Sequence, residues 1–345
     1  LQDADLNNWM VDTVTYLSRN DWEGTWPETY KDLTATDDMI SVMADDYSNI
    51  EANGDPSSVT FGADNGMTLA NLKGVDDITD ERWNDLIDQI TLEECLIRTG
   101  LGGTSTKVIE SITSPEAIQN DGPNGFNSYP LGQYANSDDS TGDPCVIAKD
   151  DPNREYKMGV MAVETVIGQT FSKQLAEEWG KAIGNYSLWA NTTIWWGVGT
   201  NLHRVPYNAR NHEYFSEDAV LTAGQGAAII KAGQEYGTLI APKHLAFNDT
   251  EINRTGLAEF MNEQAARENE LRGTQSCIED ANALAVMTTY NRVGCVTSNA
   301  HTGLLLNILR KEWGFKGLMS EDFIQDPAYT KIRMAVHNGV TMTCN

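Results

Sequence analysis

The residues best placed for covalent chemistry lie in the stretch 314–323, Gly-Phe-Lys-Gly-Leu-Met-Ser-Glu-Asp-Phe. Gly314 and Gly317 flank Phe315 and Lys316 as a turn signal, Leu318 and Met319 are apolar, and Glu321 and Asp322 put two carboxylates side by side. A short apolar run ending in acids suits a buried parallel strand whose carboxyl end opens into a site. In a barrel of parallel strands the reactive groups sit at those ends. Taken alone, the pair reads better as a loop whose acids face water. The functional reading gains because four other predicted strand ends also carry polar groups.

The first is Asp121, followed by Gly122 and Pro123, a rigid turn that fixes a carboxylate at a strand tip. The second strand end leads through Gly199 to His203 and Arg204, then to Arg210. The third is Lys243-His244, and the fourth is Tyr290-Asn291-Arg292, with Met287 just before it. Cations beside a carboxylate depress its pKa and keep it ionised, as a nucleophile requires. Asp, Lys, His and Arg also hold sugar hydroxyls through charge-assisted hydrogen bonds, and nine Trp residues offer stacking faces for sugar rings. Each His alone is more often a satisfied structural residue, and Met287 and Tyr290 read equally well as core packing. No His, Asp or Glu set has metal-ligand spacing, so a site without metal or cofactor is expected.

These groups need elements to carry them. Strands are expected at 117–120, 192–197, 237–242, 284–289, 317–320 and 340–343. Helices are expected between them at 173–188, 216–236, 260–281 and 300–313, with Leu175, Trp179 and Ile183 forming one apolar stripe and Ser216 as an N-cap. Another helix starts at Thr79, with Trp83, Leu86 and Ile90 on its buried face. Strands alternating with helices of this length mean βα units and a parallel sheet. Neither G-x-G-x-x-G nor G-x-x-x-x-G-K-[ST] occurs, which disfavours a nucleotide-binding open sheet. Residues 1–75 differ: they are rich in Asp, Ser, Thr and Asn, with a strand expected at 11–17 and a polar loop through Trp22, Glu23 and Pro27.

Over 345 residues, 24 Lys and Arg oppose 50 Asp and Glu, a formal charge of −26. That field repels phosphate backbones, so nucleic acid is not expected as a partner, whereas a neutral substrate is accommodated. The same balance leans towards an extracellular or cell-surface setting, and self-association into a homo-oligomer stays open. No run long enough to span a membrane and no signal peptide is visible. Five cysteines, Cys95, Cys145, Cys277, Cys295 and Cys344, are scattered without ligand spacing, which argues against a disulfide scaffold or zinc site. Sequons occur at Asn185, Asn191, Asn248 and Asn253.

The chain resembles glycoside hydrolase family 3 of the β-glucosidase type, through DGPNG at 121–125, GVGTNLHRVPYNARNHEYFSED at 197–218, KHLAFNDTEINR at 243–254, MTTYNRVG at 287–294 and GFKGLMSEDF at 314–323. The resemblance implies an α/β fold: a (β/α)8 TIM-like barrel over 76–345, preceded at 1–75 by a remnant of an α/β-sandwich domain plus linker in inverted domain order; with the sandwich domain mostly absent, the chain would be a fragment of a longer protein. It implies retaining hydrolysis of terminal β-glucosyl residues of a small oligosaccharide or β-glucoside. Asp322 would be the nucleophile, Asp121, Arg210, Lys243, His244 and Tyr290 the sugar contacts, and Met287 a lining residue. Glu321 stands where the family usually has Ser, while Asp322 keeps the family's distance from Gly317. Strand alternation puts Leu318, Ser320 and Asp322 on one face and Met319 and Glu321 on the other.

Retention also needs an acid/base about 5–5.5 Å from the nucleophile. Asp21-Trp22-Glu23-Gly24 is similar to the family's Ser-Gly-Glu-Gly acid loop, making Glu23 the candidate; the alternative is a surface Glu. Asn127 stands where relatives often have Arg. The continuation Leu-Ala-Phe-Asn-Asp after His244 disfavours the N-acetylglucosaminidase branch. The remaining rivals are a β-xylosidase or arabinofuranosidase and a non-catalytic sugar-binding barrel.

Overall fold

The computed structural model describes residues 1–26, 28, 33–51, 53–100, 105–126, 160–324 and 326–342. Cys145, Cys344, Asn127, Pro27 and Thr343 lie outside them. Its strands are β1 (Ser105–Thr106), β2 (Ala117–Asp121), β3 (Thr192–Trp196), β4 (Leu239–Ile240), β5 (Ala258–Glu259), β6 (Ala285–Met287), β7 (Arg292–Val293), β8 (Val296–Thr297) and β9 (Leu318–Ser320). The helices of six or more residues are α1 (Asp37–Ala44), α2 (Arg82–Asp88), α3 (Leu92–Gly100), α4 (Glu164–Gln169), α5 (Lys173–Trp189), α6 (Ala219–Gln234), α7 (Arg272–Glu279) and α8 (Ile332–His337), with π-helical stretches at Ala266–Glu270 and Gly303–Glu312.

The alternation of apolar runs and helical stripes becomes an α/β fold with parallel pairing. β2 pairs with β3, and β3 with β4, in parallel, in registers such as Asp121 with Trp196 and Ile194 with Leu239. The succession continues through the parallel bridge Leu245–Thr288 to β6, through the β6–β9 pair, and through Ser320–Met342. It curls back on itself, because Gln119 Nε2 on β2 reaches Met342 Sδ at 3.0 Å. Inside the curve, Ile194, Trp196, Ala241, Ala285, Met287 and Met342 form one buried cluster. These residues come from successive strands, so one apolar packing event sets the order of all of them.

On the outer side α5 and α6 pack against each other and against the sheet. Glycines permit the close approach: a Cβ on Gly180 would lie 2.3 Å from Ile229 O, and one on Gly184 2.8 Å from Gly233 O. The stripe fills the gap to the sheet, where Ile183 is fully buried and Trp179 packs on the fully buried Trp195 with ring centres 5.3 Å apart. Burying side chains of this kind stabilises by roughly 1.5–3 kcal/mol each. Leu175, expected in that stripe, is half exposed.

Several expected elements differ. Residues 11–17 form no strand: Val11 is 99 % exposed, and without a neighbouring strand an extended segment has no ladder to join. Among the described residues before 75 there is no strand at all. The helix expected from Thr79 begins at Arg82, because Asp77 and Asp80 bind the Thr79 and Arg82 amides in turns. α6 is capped by Asp218, whose carboxylate accepts from Leu221 N at 2.7 Å, while Ser216 instead accepts from Asp218 N. The helix expected at 260–281 is broken into short segments by the π turn at Ala266–Glu270. The segment 340–343 contributes only the bridge at Met342.

The chain's opening residues pack on the same body. Ala4 is fully buried and accepts from Met261 N at 2.9 Å, and Asp3 Oδ2 lies 2.9 Å from His301 Nε2.

Candidate active site

Because β2, β3, β4, β6 and β9 run parallel, their carboxyl ends face one way and deliver the polar residues that follow them to one place. β2 ends on Asp121. β3 continues to Gly199 and Asn201, which the bridge Gly199–Lys243 holds beside the residues that follow β4. Gly199 is required there, since a Cβ would sit 2.0 Å from Glu213 O.

Lys243 is the hub. Its ammonium, 3 % exposed, lies 2.6 Å from Asp121 Oδ1 and 3.5 Å from Glu213 Oε2. Burial works against its charge, but Asp121 and Glu213 outweigh burial and raise its pKa, so it stays cationic. Arg210 holds Glu213 in a two-pronged pair, Nη2 donating to Oε2 at 3.0 Å, and lies 3.5 Å from Glu251, which in turn pairs with Arg254 at 2.7 Å. Burial alone would raise the Glu213 pKa; Lys243 and Arg210 overcome it and pull it down to about 2.

His244 is 2 % exposed, and burial followed by the charges of Arg210, Lys243 and Arg254 lowers its pKa well below the usual value. It is therefore neutral. Arg210 Nη2 lies 2.9 Å from Nε2 and can only donate, so Nε2 accepts and Nδ1 carries the proton, with Asn201 Oδ1 at 3.3 Å and the Tyr214 hydroxyl at 3.2 Å around it.

Asp322 completes the group. Its Oδ2 lies 3.6 Å from His244 Nε2, and its Oδ1 accepts from Phe323 N at 2.8 Å. The expectation that flanking cations depress its pKa is corrected. Burial is the larger effect and lifts it above the usual value, while Arg210, the Phe323 amide, Lys243 and Arg254 pull it partly back. The neighbouring Glu321 makes its hydrogen bond outside this network. It is 2 % exposed, takes a hydrogen bond from Asn299 Nδ2 at 2.9 Å, and burial pushes it up to about 7.

The contacts thus join Asp121, Arg210, Lys243, His244 and Asp322 in one network. Met287 is buried on β6, in the cluster inside the curve. Tyr290 follows β6 with its ring under the Arg254 guanidinium at 4.2 Å, and it lines a void shared with Asp322 and Glu321. Glu23 stands outside this network, exposed on the short turn Trp22–Thr25. Among the described residues no group of three His, Cys, Asp or Glu has metal-holding geometry, and no helix is long and apolar enough to cross a membrane.

Sequence reasoning missed four contributors. Glu213 and Glu251 each sit three residues from an Arg, at Arg210 and Arg254, a spacing that could have flagged ion pairs. Tyr214 lies edge-on to the His244 ring and accepts from Asn248 Nδ2. Glu164, 1 % exposed at the start of α4, is raised well above the carboxylate range by burial and then by the Glu213 charge. Asn248, with its sequon, is also fully enclosed at 1 % exposure.

Starting with the residue that follows Asn248, a second acidic group is buried. Asp249, Glu259 and Glu270 converge from three elements, and burial raises the pKa of each. Arg204 lies 3.3 Å from Glu270 as their cationic neighbour.

Residues 147–342 match the Glycosyl hydrolase family 3 N terminal domain. The chain is 30% identical over 241 residues to a beta-glucosidase of Rhizobium radiobacter, covering 70% of this chain and 27% of that protein. It is 30% identical over 273 residues to a beta-glucosidase of Ruminococcus albus, covering 78% and 27%. Among solved structures, beta-glucosidase 3B from Thermotoga neapolitana in complex with glucose superposes with a TM-score of 0.65 at 26% identity, over 75% of this chain and 36% of that one. DesR, a beta-glucosidase from Streptomyces venezuelae in complex with D-glucose, does so at 0.63 and 25% identity, over 75% and 30%. The chain thus spans about a quarter to a third of the length of these relatives. With more than half its residues matching the family's N-terminal domain, and with parallel strand ends that gather acids and cations, this chain belongs to glycosyl hydrolase family 3.

Proposed function

We propose that the chain carries the sugar site and the nucleophile of an exo-acting retaining β-glucosidase, built on a TIM-like barrel with its boundary near residue 75. The observation that carries the reading is the meeting of Asp322 with His244, Arg210, Lys243 and Asp121 at the carboxyl ends of the parallel strands. The two relatives bound to glucose, with their matching family and fold, support glucose as the sugar. The Gln119–Met342 contact supports a closed ring of strands.

In this reading Asp322 attacks the anomeric carbon once ionised. The positive charge of Arg210 and Lys243 favours its carboxylate, and the raised pKa keeps it basic enough to form the covalent bond. Lys243 and Asp121 bind hydroxyls as a preformed ion pair, and neutral His244, oriented by Asn201 and Arg210, lines the same edge. Met287 and Tyr290 give the ring its apolar and aromatic walls. A second carboxyl group protonates the leaving oxygen and then activates water. Glu23 is proposed for that role on the strength of its loop sequence and its exposure.

The test is mass spectrometry after incubation with a 2-deoxy-2-fluoro-β-glucoside bearing a dinitrophenolate leaving group, followed by peptide mapping. That leaving group departs without a proton, so labelling needs the nucleophile and the sugar site but no acid. An adduct on the Asp322 peptide supports the reading, whereas labelling only by the xylose analogue moves the substrate to β-xylosides. Absence of any adduct refutes the site.

A further inference from the structure

Resting on the proposed glucosidase site, we infer that Glu321, together with one water in the void beside it, is a positioning residue that holds Asp322 and Tyr290 in their working pose.

Glu321 is an unusual residue to bury beside a nucleophile. Its Oε2 takes the Asn299 Nδ2 proton, and Asn299 is itself anchored by donating to Thr330 O. Its Oε1 has no partner among the described residues, although buried. An orphan oxygen of this kind costs about 1–3 kcal/mol unless it is satisfied. Against it lies a void of about 10 Å3 whose walls include Thr289, Tyr290, Thr297, Asn299, Glu321 and Asp322. That is about the volume one water needs. Thr297 Oγ1 and Asp322 Oδ2 on the same walls are likewise buried without a hydrogen-bond partner. One water, with two protons to give and two lone pairs, matches three such groups.

The arrangement works with a neutral carboxyl. Facing Glu321 are Asp322 on its own segment, Tyr290 beyond β6, and Tyr329, whose hydroxyl donates to Tyr290 O at 2.7 Å. The cations Arg254 and Arg292 lie over the Tyr290 and Tyr329 rings, at 4.2 and 4.8 Å, and do not pair with Glu321. Thr289, Thr297, Asn299 and Thr330 add no charge. A carboxylate here would have one amide donor and a neighbouring Asp322 of the same sign. Ionisation, which burial delays to about pH 7, draws the end of β9 open towards water. The nucleophile then loses its pose as pH rises, while its own charge stays intact.

The experiment follows the labelling rate of Asp322 by the dinitrophenyl 2-fluoroglucoside between pH 5 and 9, together with amide hydrogen exchange of the peptide spanning 318–330. In the wild-type chain labelling falls as pH rises through the neutral range. In Glu321→Gln, which keeps the shape and cannot ionise, that fall is absent. Glu321→Ala, which removes the carboxyl and widens the void, labels at least tenfold more slowly at pH 6. The exchange arm needs no turnover: with rising pH the peptide gains exchange beyond the intrinsic increase in the wild type and not in Glu321→Gln. A Gln variant that keeps the wild-type pH profile in both arms, or an Ala variant that labels at the wild-type rate, overturns the proposal. A wild-type chain that never labels refutes the sugar site alone, and the exchange arm still decides the role of Glu321.

Discussion

Replacing Glu213 by Gln removes one charge from the buried network while keeping its shape. The structure sets the size of the effect in two ways. Glu213 is 6 % exposed and faces Arg210 and Lys243, and breaking a buried pair by deleting one partner costs about 3–5 kcal/mol. Independently, its pKa falls from 4.5 to about 2, which corresponds to about 3 kcal/mol of stability in the ionised form. The sign follows from the depressed value. The contribution is fully present above pH 4.5 and disappears as pH falls towards 2, leaving less than half of it at pH 3. Urea unfolding of wild-type and Glu213→Gln chains at pH 7 and pH 3 measures both. The expected gap is about 3 kcal/mol at pH 7 and less than half of that at pH 3. A gap below about 0.5 kcal/mol at pH 7, or one unchanged at pH 3, refutes the reasoning.

Asp322→Asn should reduce turnover of an aryl β-glucoside by about 10^4-fold, with folding unchanged by circular dichroism. The labelling rate of Asp322 should fall as pH drops through its raised pKa, and Lys243→Met should shift that acid limb to higher pH, because Lys243 is one of the charges holding the pKa down. Gly317→Ala should destabilise by roughly 1–3 kcal/mol in urea unfolding, since the added Cβ would lie 2.1 Å from Leu284 O and force β9 away from β6.

Much of this architecture was readable from the chain because it rests on local signals. The runs that became β2, β3, β6 and β9 are short, apolar and bounded by turns, and α5 declares itself through Trp179 and Ile183. The strand ends then carry Asp121, Lys243, His244 and Asp322 by position, whereas their proposed roles come from the family resemblance. What escaped is pairing across distance. Glu213 lies in a polar stretch with no periodicity, and only the fold brings it under Lys243, thirty residues away. The rise in the Asp322 pKa escaped for a related reason: neighbouring cations are visible in a sequence, whereas burial is not. At residues 11–17 the pattern suited a strand, but among the described residues no strand lies alongside to pair with it. The shift of the α6 cap from Ser216 to Asp218 reflects competition between two adjacent good candidates, with Ser216 taken up by the Asp218 amide.

The enclosed trio of Asp249, Glu259 and Glu270 has a calorimetric consequence. Glu259, raised to about 9, retains at neutral pH a proton that the unfolded chain gives up, and burial pushes Asp249 and Glu270 the same way. Thermal unfolding at pH 7 therefore discharges protons into the buffer. The measured heat then depends on the buffer chosen: it is larger in phosphate or carboxylate buffers, which take up protons with little heat, and smaller in amine buffers, whose protonation is exothermic. The folded chain is in this sense a weak acid reservoir, and mild acidity, by keeping those protons in place, is the condition under which this corner of the molecule is most stable.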